Sequence, residues 1–357
     1  MTTRRDFLGG AAGAFAGAVF TCCDLMPSCA HAQGANDGPR RREVVVAGRR
    51  VKTVDIHAHC AFPDAMALMN LKPRPDKLVM GPERIEAMDQ QGIDIEALSI
   101  NPYWYKADRD VAASLIKLQN EKLAELVARQ PDRFVAFATM ALQHPDLAVE
   151  QLDYGIKKLG LRGVSVGGSV EGLELAHPKF HPVWAKAEEL GCLIFIHPVG
   201  TRELAPRLGG NGGLENTIGN PLETTLALSH LIYEGTLDRF PGLKICAAHG
   251  GGYLPSYADR SDAVCVTFPD RCVAVPLKKK PTEYLRQLYY DSIVFTPQAL
   301  RHLADQVGAG QIMMGTDYPF PWTHTSVDHI LSTPGLSDAE HAAMLGDTAA
   351  RLLGITS

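Results

Sequence analysis

The sequence offers little to a membrane. Its apolar early run, "GGAAGAFAGAVF" (residues 9–20), is too short and too rich in Gly and Ala to make a stable transmembrane helix. A clustered basic stripe is missing as well. The 35 Lys and Arg stand against 40 Asp and Glu for a net charge of −5 at pH 7. The short run Lys278 to Lys280 reads as a solvated loop, so nucleic acid is not an expected partner. Cysteine is sparse: eight in 357 residues, and Cys22, Cys23 and Cys29 fall in the N-terminal leader. The odd remainder implies no disulfide framework, although Cys265 and Cys272 share a loop and can pair in an oxidising compartment if their geometry permits. The phosphate fingerprint G-x-G-x-x-G is lacking too. "GGNGG" (209–213) and "VGGSVEG" (166–172) do not fit it, which argues against a doubly wound dinucleotide-binding sheet.

What is present begins with an address. "TTRRDFLGG" pairs Arg4 and Arg5 with Phe7 and Leu8, the weakly apolar run follows, and "CAHA" before Gln33 supplies the small residues a signal peptidase reads. This order resembles a bacterial twin-arginine export signal, which implies removal of residues 1–32 and a periplasmic mature protein. The polar segment 33–50, containing "NDGPRRRE", reads as a linker, and 51–357 reads as one domain.

With 46% of its residues apolar, the chain can bury a full core. Short apolar runs alternate with longer helix-like segments, the pattern of repeated βα units. Eight strands are expected: "KTVDIHAH", "IEALSIN", "RFVAFATM", "LRGVSVG", "CLIFIHP", "LKICAAHG", "LYYDSIV" and "QIMMGTD". Helices are expected between them, such as "PERIEAMDQQG", with Pro82 at its start and Gly92 at its stop, and "FHPVWAKAEELG", stopping at Gly191. From His57 to Asp317 the units average roughly 37 residues, which suits an α/β fold of the (β/α)8 TIM-barrel type with a small N-terminal extension.

In such a barrel the C-terminal ends of the strands share one mouth. His57 and His59 sit at i and i+2 of the first strand, so both face one cavity and can grip one metal ion. Alone, H-x-H is weak evidence, because ordinary polar side chains at a strand end are the commoner source of it. The fifth strand, however, ends at His197, the sixth at His249 and the eighth at Asp317. Chance does not readily place that set at the strand ends of one barrel. Nitrogen ligands with one carboxylate favour zinc, and manganese or iron also fit the ligand types. A metal with an open position activates a bound water, and the chemistry then needs a proton shuttle. His249 is assigned that role, with fifth ligand or supporting group as the alternative. By strand parity Cys192 and Cys246 should face the helices as inert buried thiols. "HPKFHP" places His177 and His181 before prolines, which favours a structural turn over a second metal site.

The set H-x-H, "IHP", "AHGGG" and "GTDYPFP" resembles the amidohydrolase superfamily, and within it the branch of aminocarboxymuconate-semialdehyde decarboxylase. The likeness runs from about Val54 to Gly354 and includes "PERIEAMDQQGID", "NPLETTLALSHLI" and "DTAARLLGI". The resemblance implies His57, His59, His197 and Asp317 as ligands of one zinc, with His249 and Asp317 as the catalytic pair. Binuclear relatives carry a lysine ending the fourth strand, and "LRGVSVGG" has none. Relatives acting on hydroxybenzoates begin with Glu-x-His, whereas this chain begins with His57. The resemblance also implies a substrate-binding arginine lent by a neighbouring subunit of a homodimer, a position matched by Arg260. A second arginine is expected after the first strand, where Lys72, Arg74 and Lys77 give no clear match. Tyr103, Trp104 and Tyr105 are candidate walls for a planar substrate, with core packing as the alternative, and His324 follows the eighth strand closely enough to line the mouth. The implied activity is removal of carbon dioxide from an unsaturated or aromatic carboxylate. A hydrolase using the same site and a non-catalytic metal- or solute-binding protein are the alternatives.

Overall fold

The computed structural model describes residues 41–356 apart from 274–275, 321 and 323–324. The export signal, its cleavage site, the first part of the linker and His324 lie outside the described residues. The eight expected strands form one parallel sheet in chain order: β1 (Val54–His59), β2 (Ile95–Ser99), β3 (Phe134–Ala138), β4 (Gly163–Gly167), β5 (Leu193–His197), β6 (Lys244–Ala247), β7 (Tyr289–Asp291) and β8 (Ile312–Met313). The sheet closes on itself. The Ile56 N–H donates to the Met314 carbonyl at 2.9 Å, and the segment after β8 pairs with β1 through Asp317 N–H to the His57 carbonyl at 2.8 Å and His59 N–H to the Tyr318 carbonyl at 2.7 Å. The result is the expected (β/α)8 barrel.

Helices α1 (Pro82–Gln91), α2 (Arg109–Arg129), α3 (Pro145–Lys157), α4 (His181–Leu190), α5 (Asn220–Tyr233), α6 (Asp259–Thr267), α7 (Pro297–Val307) and α8 (Thr348–Leu353) alternate with the strands. α1 and α4 stop where expected, at Gly92 (φ 78°) and Gly191 (φ 59°), in the left-handed conformation that glycine adopts without a Cβ penalty. "HPKFHP" is half turn and half helix: the His177 side chain accepts the Lys179 N–H at 3.1 Å, and His181 opens α4. The N-terminal extension is a small antiparallel hairpin, Val45–Val46 with Arg49–Arg50, tied to the barrel by ion pairs from Arg41 and Arg50 to Asp94. No helix among the described residues is long and apolar enough to cross a membrane. Cys265, on α6 rather than in the expected loop, is joined in a disulfide to Cys272 at the end of a following short helical turn.

Strands buried on both faces explain why the sequence shows apolar runs rather than alternation. The inner cluster stacks Phe137 on Phe195, centroids 5.6 Å apart, over Val135, Leu193 and Met313. Each such side chain contributes roughly 1.5–3 kcal/mol through burial. The outer cluster joins the other faces of the strands to the helices. Cys192 lies in the outer cluster as expected, but Cys246 lies in the inner one. Parity counted back from His249 fails there because β6 ends at Ala247 and His249 has already left the extended conformation (φ 55°).

A related irregularity sets the first strand. Asp55 pairs with Glu96 but Ala58 pairs with Leu98, so β1 carries one more residue than β2 between those positions. Val54 and Ile56 line the inner cluster, and the extra residue lets His57 and His59 face inward as well, a bulge re-aiming side chains at a site. Asp55 locks the bulge by accepting the His57 N–H at 2.9 Å and the Thr316 hydroxyl at 2.5 Å. From α1, the fully buried Arg84 donates to Glu96 at 3.0 Å and to the His59 carbonyl, and lies 4.5 Å from the centre of the Tyr318 ring. It thereby joins β1, β2 and the segment after β8 directly beneath the histidine pair.

Candidate metal centre

At the mouth, His57 Nε2 lies 3.0 Å from His59 Nε2. Asp317 Oδ1 lies 3.2 Å from the first and 2.8 Å from the second. The His197 ring is 5.0 Å from that of His57 and 4.7 Å from that of His59, centre to centre. These expected ligands come together, and His249 joins them: His57, His197, His249 and Asp317 offer atoms all within 4.8 Å of one another.

The other ring nitrogens decide which imidazoles are held. His57 Nδ1 donates to Asp291 Oδ2 at 2.6 Å, and His197 Nδ1 donates to the Pro198 carbonyl at 2.8 Å. The Ser99 hydroxyl donates to the Ala58 carbonyl at 3.2 Å, which leaves its oxygen to accept from His59 Nδ1 at 3.0 Å. All three Nε2 atoms are thus turned into the cluster by fixed partners, the usual outer support of a metal-bound histidine. His249 differs. Its Nδ1 has no partner among the described residues, its side chain is the most exposed of the set at 16%, and its Nε2 stands 3.8 Å from Asp317 Oδ2.

Burial pushes His59 down to about 4 and His197 well below its ordinary value, so both present neutral lone pairs. Burial would lower His57 too, but Asp317 and Asp291 outweigh it and push its pKa up to about 10. For Asp317, burial pulls upward, and His57, His249 and His59 hold the carboxyl well below the usual range. Two buried carboxylates around one ring therefore demand positive charge at this spot. Convergent imidazole nitrogens with a carboxylate are the donor set that a divalent cation satisfies, so the residues present fit a metal.

Just beyond their strands, His249 (φ 55°) and Asp317 (φ 61°) adopt the left-handed region. Such strain in non-glycine residues collects at functional sites. Space is made by absent side chains: a Cβ on Gly250 would stand 2.5 Å from Val294, and one on Gly315 would stand 3.1 Å from the His57 Cβ. β4 ends at Gly167 without a lysine.

Asp291 was not among the expected site residues. It ends β7, and besides His57 it accepts the backbone N–H groups of His249 and Gly250, each at 2.9 Å. A carboxylate closing a predicted strand was the signal available, the same one that pointed to Asp317. Trp322, five residues after Asp317, was also missed; its indole N–H donates to Asp317 Oδ2 at 2.7 Å. Asp291→Asn is expected to weaken metal binding by roughly 10–100-fold, because an amide cannot serve both His57 and the two backbone donors with a full negative charge. Competition against a fluorescent chelator measures this, and an unchanged affinity would remove Asp291 from the support of the site.

The metal cluster opens into a cavity of about 640 Å³ whose walls include Tyr103, Phe320, Trp322, Lys72, Arg74 and Arg202. Trp104 and Tyr105, expected as walls, are core residues instead. Trp104 is fully buried with its indole N–H donating to the Met140 carbonyl at 2.9 Å. The Tyr105 hydroxyl accepts the Gly167 N–H at 2.9 Å, and the ring borders only a side recess of about 140 Å³. Of the aromatic trio, Tyr103 is the one facing the cavity. Arg260, on α6, lines a different cavity of about 890 Å³ with Tyr233, Tyr253 and Tyr257. Within one chain it does not reach the metal cluster's cavity.

A closed (β/α)8 barrel with one histidine-aspartate centre at its mouth defines a metal-dependent barrel enzyme. The family model described as Amidohydrolase matches residues 54–355, and the chain belongs to that family. It is 32% identical over 281 residues to 2-amino-3-carboxymuconate-6-semialdehyde decarboxylase of Dictyostelium discoideum, covering 76% of each chain. The crystal structure of 5-carboxyvanillate decarboxylase from Sphingomonas paucimobilis superposes with a TM-score of 0.78 at 28% identity, covering 86% of this chain and all of that one. A dihydroxybenzoic acid decarboxylase from Polaromonas sp. JS666, solved with bound manganese and the inhibitor 2-nitroresorcinol, superposes with a TM-score of 0.76 at 26% identity, covering 85% of this chain and 97% of that one.

Proposed function

We propose that the protein is a metal-dependent, non-oxidative decarboxylase of an unsaturated or aromatic carboxylate. The carrying observation is the asymmetry of the histidines: three are fixed by outer partners toward one point, and a fourth, His249, faces Asp317 from the open side with no outer partner on its Nδ1 among the described residues. His57, His59, His197 and Asp317 would hold the ion, which when bound polarises and neutralises substrate oxygens. His249 delivers a proton to the carbon bearing the departing carboxylate. The carbon–carbon bond then breaks, its electron pair returns to the ring or double bond as carbon dioxide leaves, and the proton remains on carbon. Tyr103, Phe320 and Trp322 offer flat apolar surface to the substrate's planar body.

Zinc is the proposed ion, since imidazole nitrogens with a single carboxylate suit it; manganese, present in the Polaromonas relative, is the alternative. A homodimer in which Arg260 serves the neighbouring subunit agrees with its place on α6, away from its own chain's centre. Export through the twin-arginine route to the periplasm rests on the leader alone. The test is to load the mature protein with zinc or manganese and follow carbon dioxide from muconates and hydroxybenzoates. Stoichiometric release, with no oxygen from labelled water entering the organic product, is expected. Labelled oxygen in that product would identify a hydrolase instead.

A further inference from the structure

The outer partners of the three fixed histidines differ in kind. His57 leans on a carboxylate, Asp291, at 2.6 Å, whereas His59 leans on the Ser99 hydroxyl at 3.0 Å and His197 on a backbone carbonyl, that of Pro198, at 2.8 Å. That carbonyl is half of a peptide group whose other half, the Val199 N–H, donates to Glu223 Oε2 at 2.7 Å. A carboxylate therefore stands behind His197 as well, one peptide removed.

Glu223 sits in the first turn of α5, within the stretch "NPLETTLALSHLI", and is only 4% exposed. Its Oε2 also accepts the Gly200 N–H, and its Oε1 accepts the Ser169 hydroxyl at 3.1 Å. The carboxylate is closely packed: a Cβ on Gly168 would stand 2.8 Å from the Glu223 Cγ. Burial leaves its pKa raised against the pull of the Gly200, Val199 and Ser169 donors, and Glu203 adds to the rise. An acid is costly to bury, and two of the three donors that compensate this one belong to the segment next to His197.

Resting on the metal-centre reading, we infer that Glu223 is a positioning residue of that centre, acting on His197 through the Pro198–Val199 peptide. Hydrogen bonds in series polarise one another. With its N–H given to a carboxylate, the peptide presents a more negative carbonyl to His197 Nδ1. That holds the ring in the tautomer whose Nε2 lone pair faces the cluster and makes this nitrogen a stronger base. The same bond fixes the plane of the peptide, and with it the direction of the ring. Two of the three fixed histidines are thereby backed by carboxylates, His57 directly and His197 at one remove.

The test reads the ring rather than turnover. In cobalt(II)-loaded protein each imidazole bound through Nε2 gives an exchangeable, paramagnetically shifted Nδ1 proton signal, one for each of His57, His59 and His197. E223Q, which removes the charge and keeps the size, should move one of these signals and weaken cobalt binding roughly tenfold or more in competition with a chelator. V199P deletes the same hydrogen bond from its donor side with the carboxylate still present, and should move the same signal. S169A touches only Oε1 and should leave signals and affinity as in the wild type. Circular dichroism and melting temperature of the metal-free proteins identify which variants are folded. A folded E223Q or V199P with wild-type signals and affinity, or an S169A whose signals move as far as those of E223Q, overturns the inference and leaves the metal centre in place. A wild type that binds no cobalt overturns the two together.

Discussion

Asp317→Ala is expected to fall from about one bound divalent ion per chain to nearly none, and to lose turnover with it. Asp317 is the one anionic donor in the set, with Oδ1 at 2.8 Å from His59 Nε2 and 3.2 Å from His57 Nε2. Its removal leaves neutral imidazoles, and the loss should exceed the roughly 10–100-fold that outer-shell changes cost. Trp322 would also lose the acceptor of its indole N–H. Because a ligand that binds only the folded state raises its stability by mass action, chelation should lower the melting temperature of the wild type and leave that of Asp317→Ala unmoved. Asp317→Asn keeps an oxygen but not the charge and should fall between the two. Mass-spectrometric metal content on gel-filtered protein reads all three variants. Wild-type content in the alanine variant would remove Asp317 from the ligand set.

The barrel was legible because its strands are short apolar runs covered on both faces, and because α1 and α4 are bracketed by proline or glycine where the chain needs them. The five candidate site groups were legible by position, each at or just beyond a strand end. What escaped depends on local backbone departures that no alternation rule contains. The bulge in β1 allows Ile56 and His57 both to face inward, and the left-handed turn at His249 breaks the parity that was to place Cys246 among the helices. The aromatic trio shows a similar limit: three adjacent residues point three ways, and only the fold reveals that Trp104 and Tyr105 answer to Met140 and Gly167 while Tyr103 meets the cavity. Asp291 escaped although it closes the expected seventh strand, because what gives it weight, its bonds to His57 and to the backbone of His249 and Gly250, is set by the fold and not by spacing.

His249→Ala is expected to keep its metal and to lose roughly 10²–10⁴ in kcat, the usual contribution of a positioned proton donor. The separation of these effects follows from how the residue is held. Among the described residues its Nδ1 bonds no outer partner, whereas the rings of His57, His59 and His197 each have one. Its backbone, by contrast, is anchored: Asp291 accepts the N–H groups of both His249 and Gly250 at 2.9 Å while holding His57 at 2.6 Å. Alanine preserves that N–H, so Asp291 keeps its grip and the ligand rings stay in place while only the proton shuttle is lost. Asp291→Asn should do the reverse, disturbing His57 and the metal first. If the His249 variant instead loses its ion, then His249 is a ligand. The three outer-supported histidines would not suffice, and the proton would have to come from another group.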